Sequence, residues 1–259
     1  MSRRRTVLGT VLGGAAGASL VLAAPSAAAP AAAGGVVPAA RVAILAAAPA
    51  QAAPATGTVA VVGDSLLVGT LIYGEPSYLR RAAAASNLRL WPRPSAKVGR
   101  GVTEGLRILA ARRSLPRIVL VELGTNNWRV GADRAERWIA RARAIVGPDR
   151  DLYWVNVRMT RSKYAAHRKV NVGLARGVAK DTETQLAAGA TGRSFVLDWS
   201  AYSRKVGVSP GRDGMHYGPQ GYHVLARFVA GSIARHSPYR SFLLPSPEPP
   251  TIPMTPVGS

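Results

Sequence analysis

The 259-residue chain is 47% hydrophobic, enough for one domain with a buried core. It carries 34 Lys and Arg against 13 Asp and Glu, a formal charge of +21, so its surface attracts polyanions such as anionic cell-wall polymers in a salt-sensitive way. Cys is absent, which excludes a disulfide framework, a thiol nucleophile and Cys-ligated metal; no zinc-finger spacing or RNA-recognition signature accompanies the charge, so no specific nucleic-acid function is expected.

The chain opens with Arg3, Arg4 and Arg5, continues in an uncharged apolar run from Thr6 to Ala24, and reaches an A-x-A pattern at Ala27 to Ala29. That order reads as an export signal over residues 1–29 and predicts a secreted or cell-wall-associated protein with no membrane span in its mature form. The competing reading is an uncleaved anchor, and "SRRRTVL" leaves the route open between Sec and twin-arginine export. Residues 30–55 read as an Ala/Pro-rich low-complexity linker; a second A-x-A pattern at Ala50 to Ala52 offers a later cleavage site.

Residues 56–242 form the expected folded domain. Five short apolar runs, "TVAVVG", "LRLWP", "RIVLVELG", "DLYWVNV" and "SFVLDW", alternate with Ala- and Arg-rich segments of helical character. The runs are apolar on both faces, which predicts strands covered by helices on each side: a three-layer α/β/α sandwich with a flavodoxin-like parallel sheet, order 2-1-3-4-5. Residues 243–259, rich in proline, read as an extended tail.

Ser65 follows the first strand directly, where an open α/β sheet presents side chains to the crevice beyond its carboxyl ends. Two readings compete there, an ordinary helix cap and a nucleophile. A nucleophile needs a base, and four His are available. His167 lies in a basic segment, and His223 and His236 lie in or near the end of the last helix, all natural surface or packing positions. His216 sits in the Gly-rich "GRDGMHYGPQG", three residues after Asp213. An Asp that fixes one imidazole nitrogen leaves the other to take a proton from a Ser hydroxyl, so Asp213, His216 and Ser65 make a candidate triad. Gly99 and Asn126, in loops after the second and third strands, are candidate donors to an oxyanion, and the expected strand order brings their ends beside that of the first strand.

Together "GDSL" at Gly63 to Leu66, Gly99, "GTNN" at Gly124 to Asn127 and "DGMH" at Asp213 to His216 resemble the four blocks of the SGNH, or GDSL, hydrolase family. "SAKVGRGVTEGL", "VNVRMTRSKYAAHRKVNVGL" and "LDWSAYS" look similar to the extracellular SGNH domains of cell-wall O-acetyltransferases. The resemblance implies Ser65 as nucleophile and first oxyanion donor through its backbone, with Gly99 and Asn126 as further donors and Asp213 with His216 as the relay. Two departures stand out: Asn127 occupies a position usually held by Asp, and the G-x-S-x-G elbow of α/β-hydrolases is missing.

The expected activity is hydrolysis of a small acyl ester, acetyl on a cell-wall saccharide being the leading substrate, through an acyl-enzyme intermediate. O-acyl transfer on the same machinery and a catalytically idle cationic wall-binding module are the alternatives. Asp64, Asn127, Trp128 and Tyr217 flank the triad and oxyanion positions and are candidates for substrate contact. No acidic or His cluster has metal-ligand spacing and no phosphate loop is present, so no metal or cofactor is expected.

Overall fold

The structure, a computed structural model, describes residues 57–236. The expected export signal, linker and Pro-rich tail all lie outside the described residues. In chain order the elements are β1 (Gly57–Gly63), α1 (Ser65–Ile72), α2 (Tyr78–Ala85), β2 (Leu88–Leu90), β3 (Ser95–Ala96), α3 (Val102–Ala110), β4 (Ile118–Glu122), α4 (Ala132–Val146), β5 (Asp151–Val155), α5 (His167–Ala187), β6 (Ser194–Leu197), α6 (Trp199–Lys205) and α7 (Pro219–His236).

The strands form one parallel sheet in the order β2-β1-β4-β5-β6, with β3 also paired to β1. This is the expected three-layer sandwich with one difference of detail. The second strand is two short pieces, Gly57 to Val59 pairing with Leu88 to Leu90 and Val62 to Gly63 with Ser95 to Ala96. Between the pieces runs "WPRP", in which Pro92 and Pro94 have no N–H to give a ladder and Arg93 adopts φ 63°.

Period-two alternation sends the strand side chains into two separate cores. Val59, Val61, Ile118, Leu120, Tyr153 and Val155 pack with residues of α1, α2, α6 and α7 on one face. Ala60, Val62, Val119, Val121, Leu152 and Trp154 pack with α3, α4 and α5 on the other. Every residue of β4 and β5 is buried, as strands covered on both faces require. No helix among the described residues is long and apolar enough to cross a membrane.

Close packing fixes where α1 can lie. A Cβ on Gly69 would come within 2.2 Å of the Tyr222 ring, so the small residue lets α1, which carries Ser65 at its start, rest against α7.

Candidate active site

The chain turns from β1 into α1 within one residue, and that residue is Asp64. Its Oδ1 accepts from the Leu66 N–H at 3.0 Å, making Asp64 the N-cap of α1. Ser65 is the first helical residue. Its hydroxyl is therefore not the cap, and the alternative left open by the sequence closes in favour of its neighbour.

The Ser65 hydroxyl instead meets His216. Oγ and Nε2 lie 2.8 Å apart, across 151 positions of chain, and His216 Nδ1 lies 2.6 Å from Asp213 Oδ2. An ionised carboxylate can only accept, so in the neutral imidazole Nδ1 carries the hydrogen and Nε2 is free to accept from Ser65 O–H. Asp213 is itself fixed by local turn chemistry, its Oδ1 accepting from the N–H groups of Met215 at 2.8 Å and His216 at 3.0 Å. Burial pushes the Asp213 carboxyl up, but the His216 contact and these two N–H donors outweigh it and bring its pKa down to about 2. The loop is closed by Gly211 N–H donating to His216 C=O at 2.7 Å, and anchored where Thr160 N–H donates to Gly214 C=O at 3.0 Å.

The other three His are elsewhere. His167 is buried with Nδ1 2.7 Å from Tyr164 C=O, His223 lies tilted against the Tyr78 ring at 5.0 Å, and His236 Nδ1 is 2.8 Å from Ser232 C=O.

The loops after β3 and β4 are tied to each other and to β1. Asn126, in a 3-10 turn over Thr125–Asn127, donates from Nδ2 to Arg100 C=O at 3.1 Å. Asn127 Oδ1 accepts from Val102 N–H at 2.8 Å, capping α3 from a distance. Gly99 is exposed and holds φ +76° in the turn before α3, a left-handed conformation that a side chain would strain. The buried Arg100 was not singled out from the sequence, although it stands in "SAKVGRGVTEGL". Its Nη1 donates to Gly63 C=O at 3.0 Å and Ser95 C=O at 2.7 Å. Arg100 thus links the residue before Asp64 and the strand before Gly99 through its guanidinium, and Asn126 through its backbone carbonyl.

Four residues were expected as substrate contacts, and the structure corrects two of them. Asp64 has no exposed surface, and its carboxyl faces inward toward Glu122. Tyr217 is buried, its ring edge-on to Trp199 and Tyr222, with its oxygen accepting from Trp199 Nε1 at 2.8 Å. Both are framework residues, because apolar packing and helix capping claim them. Asn127 and Trp128 are half-buried; Trp128 meets Tyr164 edge to face at 5.0 Å, under the Arg129 guanidinium at 4.7 Å.

Glu122, the last residue of β4, also escaped the sequence reading. It is almost fully buried, and Oε2 accepts from Leu67 N–H at 3.0 Å. The signal was there: an acidic residue closing an otherwise apolar strand. Burial pushes the carboxyls of Glu122 and Asp64 upward, Glu122 the further because the Asp64 charge adds to it. Among the described residues no group of three or more His, Cys, Asp or Glu is placed to hold a metal ion.

No family model matches the chain, and no curated protein does. Solved structures do. A carbohydrate esterase of family 3 from Talaromyces cellulolyticus is 18% identical, with 69% of this chain and 97% of that one covered and a TM-score of 0.51. A member of the lipolytic protein G-D-S-L family from Veillonella parvula is 13% identical over 69% of this chain and 98% of that one, with a TM-score of 0.50. The C-terminal catalytic domain of peptidoglycan O-acetyltransferase A from Streptococcus pneumoniae is 16% identical over 69% and 93%, with a TM-score of 0.49. The fold is that of the SGNH, or GDSL, hydrolases.

Proposed function

We propose that this chain, which has the SGNH hydrolase fold, is a serine esterase that removes a small acyl group, acetyl foremost, from a saccharide ester through an acyl-enzyme. The observation that carries the reading is the unbroken line of contacts from Asp213 through His216 to the Ser65 hydroxyl, at 2.6 and 2.8 Å. A hydroxyl facing an imidazole whose other nitrogen is fixed by a carboxylate is an activated nucleophile.

In the reaction Ser65 Oγ attacks the ester carbonyl carbon while His216 Nε2 takes the hydroxyl proton. Asp213 stabilises the imidazolium and is not itself protonated. The negative charge that develops on the carbonyl oxygen is received by Ser65 N–H, Gly99 N–H and the Asn126 amide. The intermediate collapses as His216 returns the proton to the departing alcohol, leaving the acyl group on Ser65 Oγ. Water, deprotonated in turn by His216, then releases the acid and regenerates the hydroxyl.

Acyl transfer is the second reading. His216 and Asp213 keep 41% and 50% of their side chains exposed, so an acceptor alcohol has room to take the place of water. A catalytically idle wall-binding module is disfavoured by the same line of contacts, which binding alone does not need. Export over residues 1–29, association with anionic wall polymers and the absence of a cofactor belong to this proposal.

Turnover of a chromogenic acetyl ester, with fluorophosphonate labelling and peptide mapping, tests it. Labelling at Ser65 and loss of turnover in Ser65→Ala are expected; labelling at any other residue overturns the assignment. Release of acetate from acetylated glycans, set against release of acid from lipid esters, tests the substrate class. An acylated acceptor in place of free acid identifies the transferase.

A further inference from the structure

We propose that Glu122 and Asp64 share one proton between their buried carboxyl groups, and that the pair holds the turn at Ser65 so that its backbone N–H stays free as an oxyanion donor. Glu122 is thereby a positioning residue, a role that rests on the esterase reading above.

The argument begins with the donors at the start of α1. The first four N–H groups of a helix have no partner within it. Here Asp64 N–H donates to Glu122 C=O at 3.0 Å, Leu66 N–H to Asp64 Oδ1 at 3.0 Å and Leu67 N–H to Glu122 Oε2 at 3.0 Å. Ser65 N–H, between them, has no acceptor among the described residues. Two carboxyl groups and one carbonyl therefore occupy every neighbouring donor. The donor left over belongs to the nucleophile itself.

Charge decides the protonation of the pair. Asp64 has no exposed surface and Glu122 only 4%. Neither makes an ion pair among the described residues, and the nearby Arg100 directs Nη1 to the carbonyls of Gly63 and Ser95. Asp64 Oδ2 is buried without a partner in bonding geometry, as is Thr125 Oγ1, the one hydroxyl that faces it. Two adjacent carboxylates in a dry site cannot both ionise, whereas one proton held between them gives Oδ2 its donor and leaves a single negative charge. That charge sits at the N-terminus of α1, where the helix dipole favours it.

The groups that face the pair are Arg100 from the turn before α3, Thr125 after β4, His216 and Tyr217 from the loop before α7, and Tyr222 on α7. Loss of the shared proton at alkaline pH adds a second negative charge and drives the carboxyls apart. The cradle around Leu66 and Leu67 then loosens, and with it the aim of Ser65 N–H.

The test compares the wild-type protein with Glu122→Gln and Glu122→Leu. Gln retains an acceptor for Leu67 N–H and offers an N–H to Asp64 Oδ2, without titrating. Its kcat should stay within about threefold of wild type while the alkaline loss of activity disappears. Glu122→Leu, shown to be folded by circular dichroism, should lose about a hundredfold in kcat with KM little changed. The infrared stretch of a protonated carboxyl should be present in the wild type at neutral pH and absent from Glu122→Gln, a readout that needs no turnover. A missing band, a Gln variant with a large kcat loss, or a folded Leu variant with normal kcat overturns the proposal. If Glu122→Leu does not fold, the Gln variant and the band decide. A wild-type protein with the band but no ester turnover overturns the esterase reading and the positioning role with it, while the shared proton stands.

Discussion

Asn127 Oδ1 accepts a hydrogen bond from the Val102 N–H, while its neighbour Asn126 donates from Nδ2 to Arg100 C=O. Adjacent, chemically identical side chains thus hold different posts, one accepting from the first turn of a helix and one donating to the loop before it. Asn126→Ala should lower kcat about a hundredfold with little change in KM, because in the proposed reaction its amide meets charge that exists only once the carbonyl carbon is tetrahedral. Asn127→Ala should instead cost about 1 kcal/mol of stability, the worth of a lost cap, with kcat far less affected. Steady-state kinetics and melting curves on both variants check the division; a dead Asn127→Ala beside an active Asn126→Ala reverses it.

The cap of α1 belongs to Asp64, so removing the Ser65 hydroxyl should leave the helix intact. Ser65→Ala is expected to melt within about 0.5 kcal/mol of wild type while losing turnover. Asp64→Ala should be destabilised by about 1 kcal/mol or more, since Leu66 N–H loses its acceptor inside the protein. Urea denaturation of the two variants gives the comparison directly.

Acid should act on the protein partly through Asp213. Its folded pKa of about 2 lies below the ordinary value of 3.8, so the folded state favours the ionised form. Its contribution to stability is therefore complete above about pH 4 and lost as pH falls toward 2. Asp213→Asn should flatten that part of the stability profile. It should also depress turnover, though less than His216→Ala, since the carboxylate orients a proton carrier that it does not replace.

At the opposite edge of the sheet, Arg143 on α4 lies 3.1 Å from Asp181 on α5, and its remaining donors reach Ser194 Oγ and the carbonyls of Gly147 and Arg150. Both charged side chains are buried. Arg143→Met leaves Asp181 without its counter-charge and should cost about 3 kcal/mol, with kcat of the folded fraction unchanged. Chemical denaturation and turnover at low temperature separate the two effects.

The parts of the molecule that could be read from the sequence are those built from local chemistry. Apolar runs bounded by turns gave the five strand positions, and the three-residue spacing of Asp213 and His216 put two polar side chains in one short loop. What could not be read depends on which distant groups come together. Whether Ser65 or Asp64 caps α1 is decided by the backbone angles of a one-residue turn. The inward aim of Asp64 depends on Glu122, 58 positions later, and the burial of Tyr217 depends on Trp199 and Tyr222 closing over it. The second strand resumes at Ser95 and Ala96, beyond Pro92 and Pro94, and this piece was not legible because two small residues make no apolar run.

That split edge governs how one molecule meets another in concentrated solution. A long bare strand at the side of a sheet offers unpaired N–H and C=O groups to any passing chain, and is a seed for aggregation. Here the exposed side of the sheet next to β1 offers only three residues before "WPRP" interrupts it, with Arg89 exposed at the centre of the short strand. Two prolines withhold donors from an incoming strand, and the guanidinium groups of Arg89 and Arg93 repel a second copy of themselves. A protein with a formal charge of +21 and no Cys to lock its fold thus keeps the β2 border of its sheet short and charged, poorly suited to being extended by another strand.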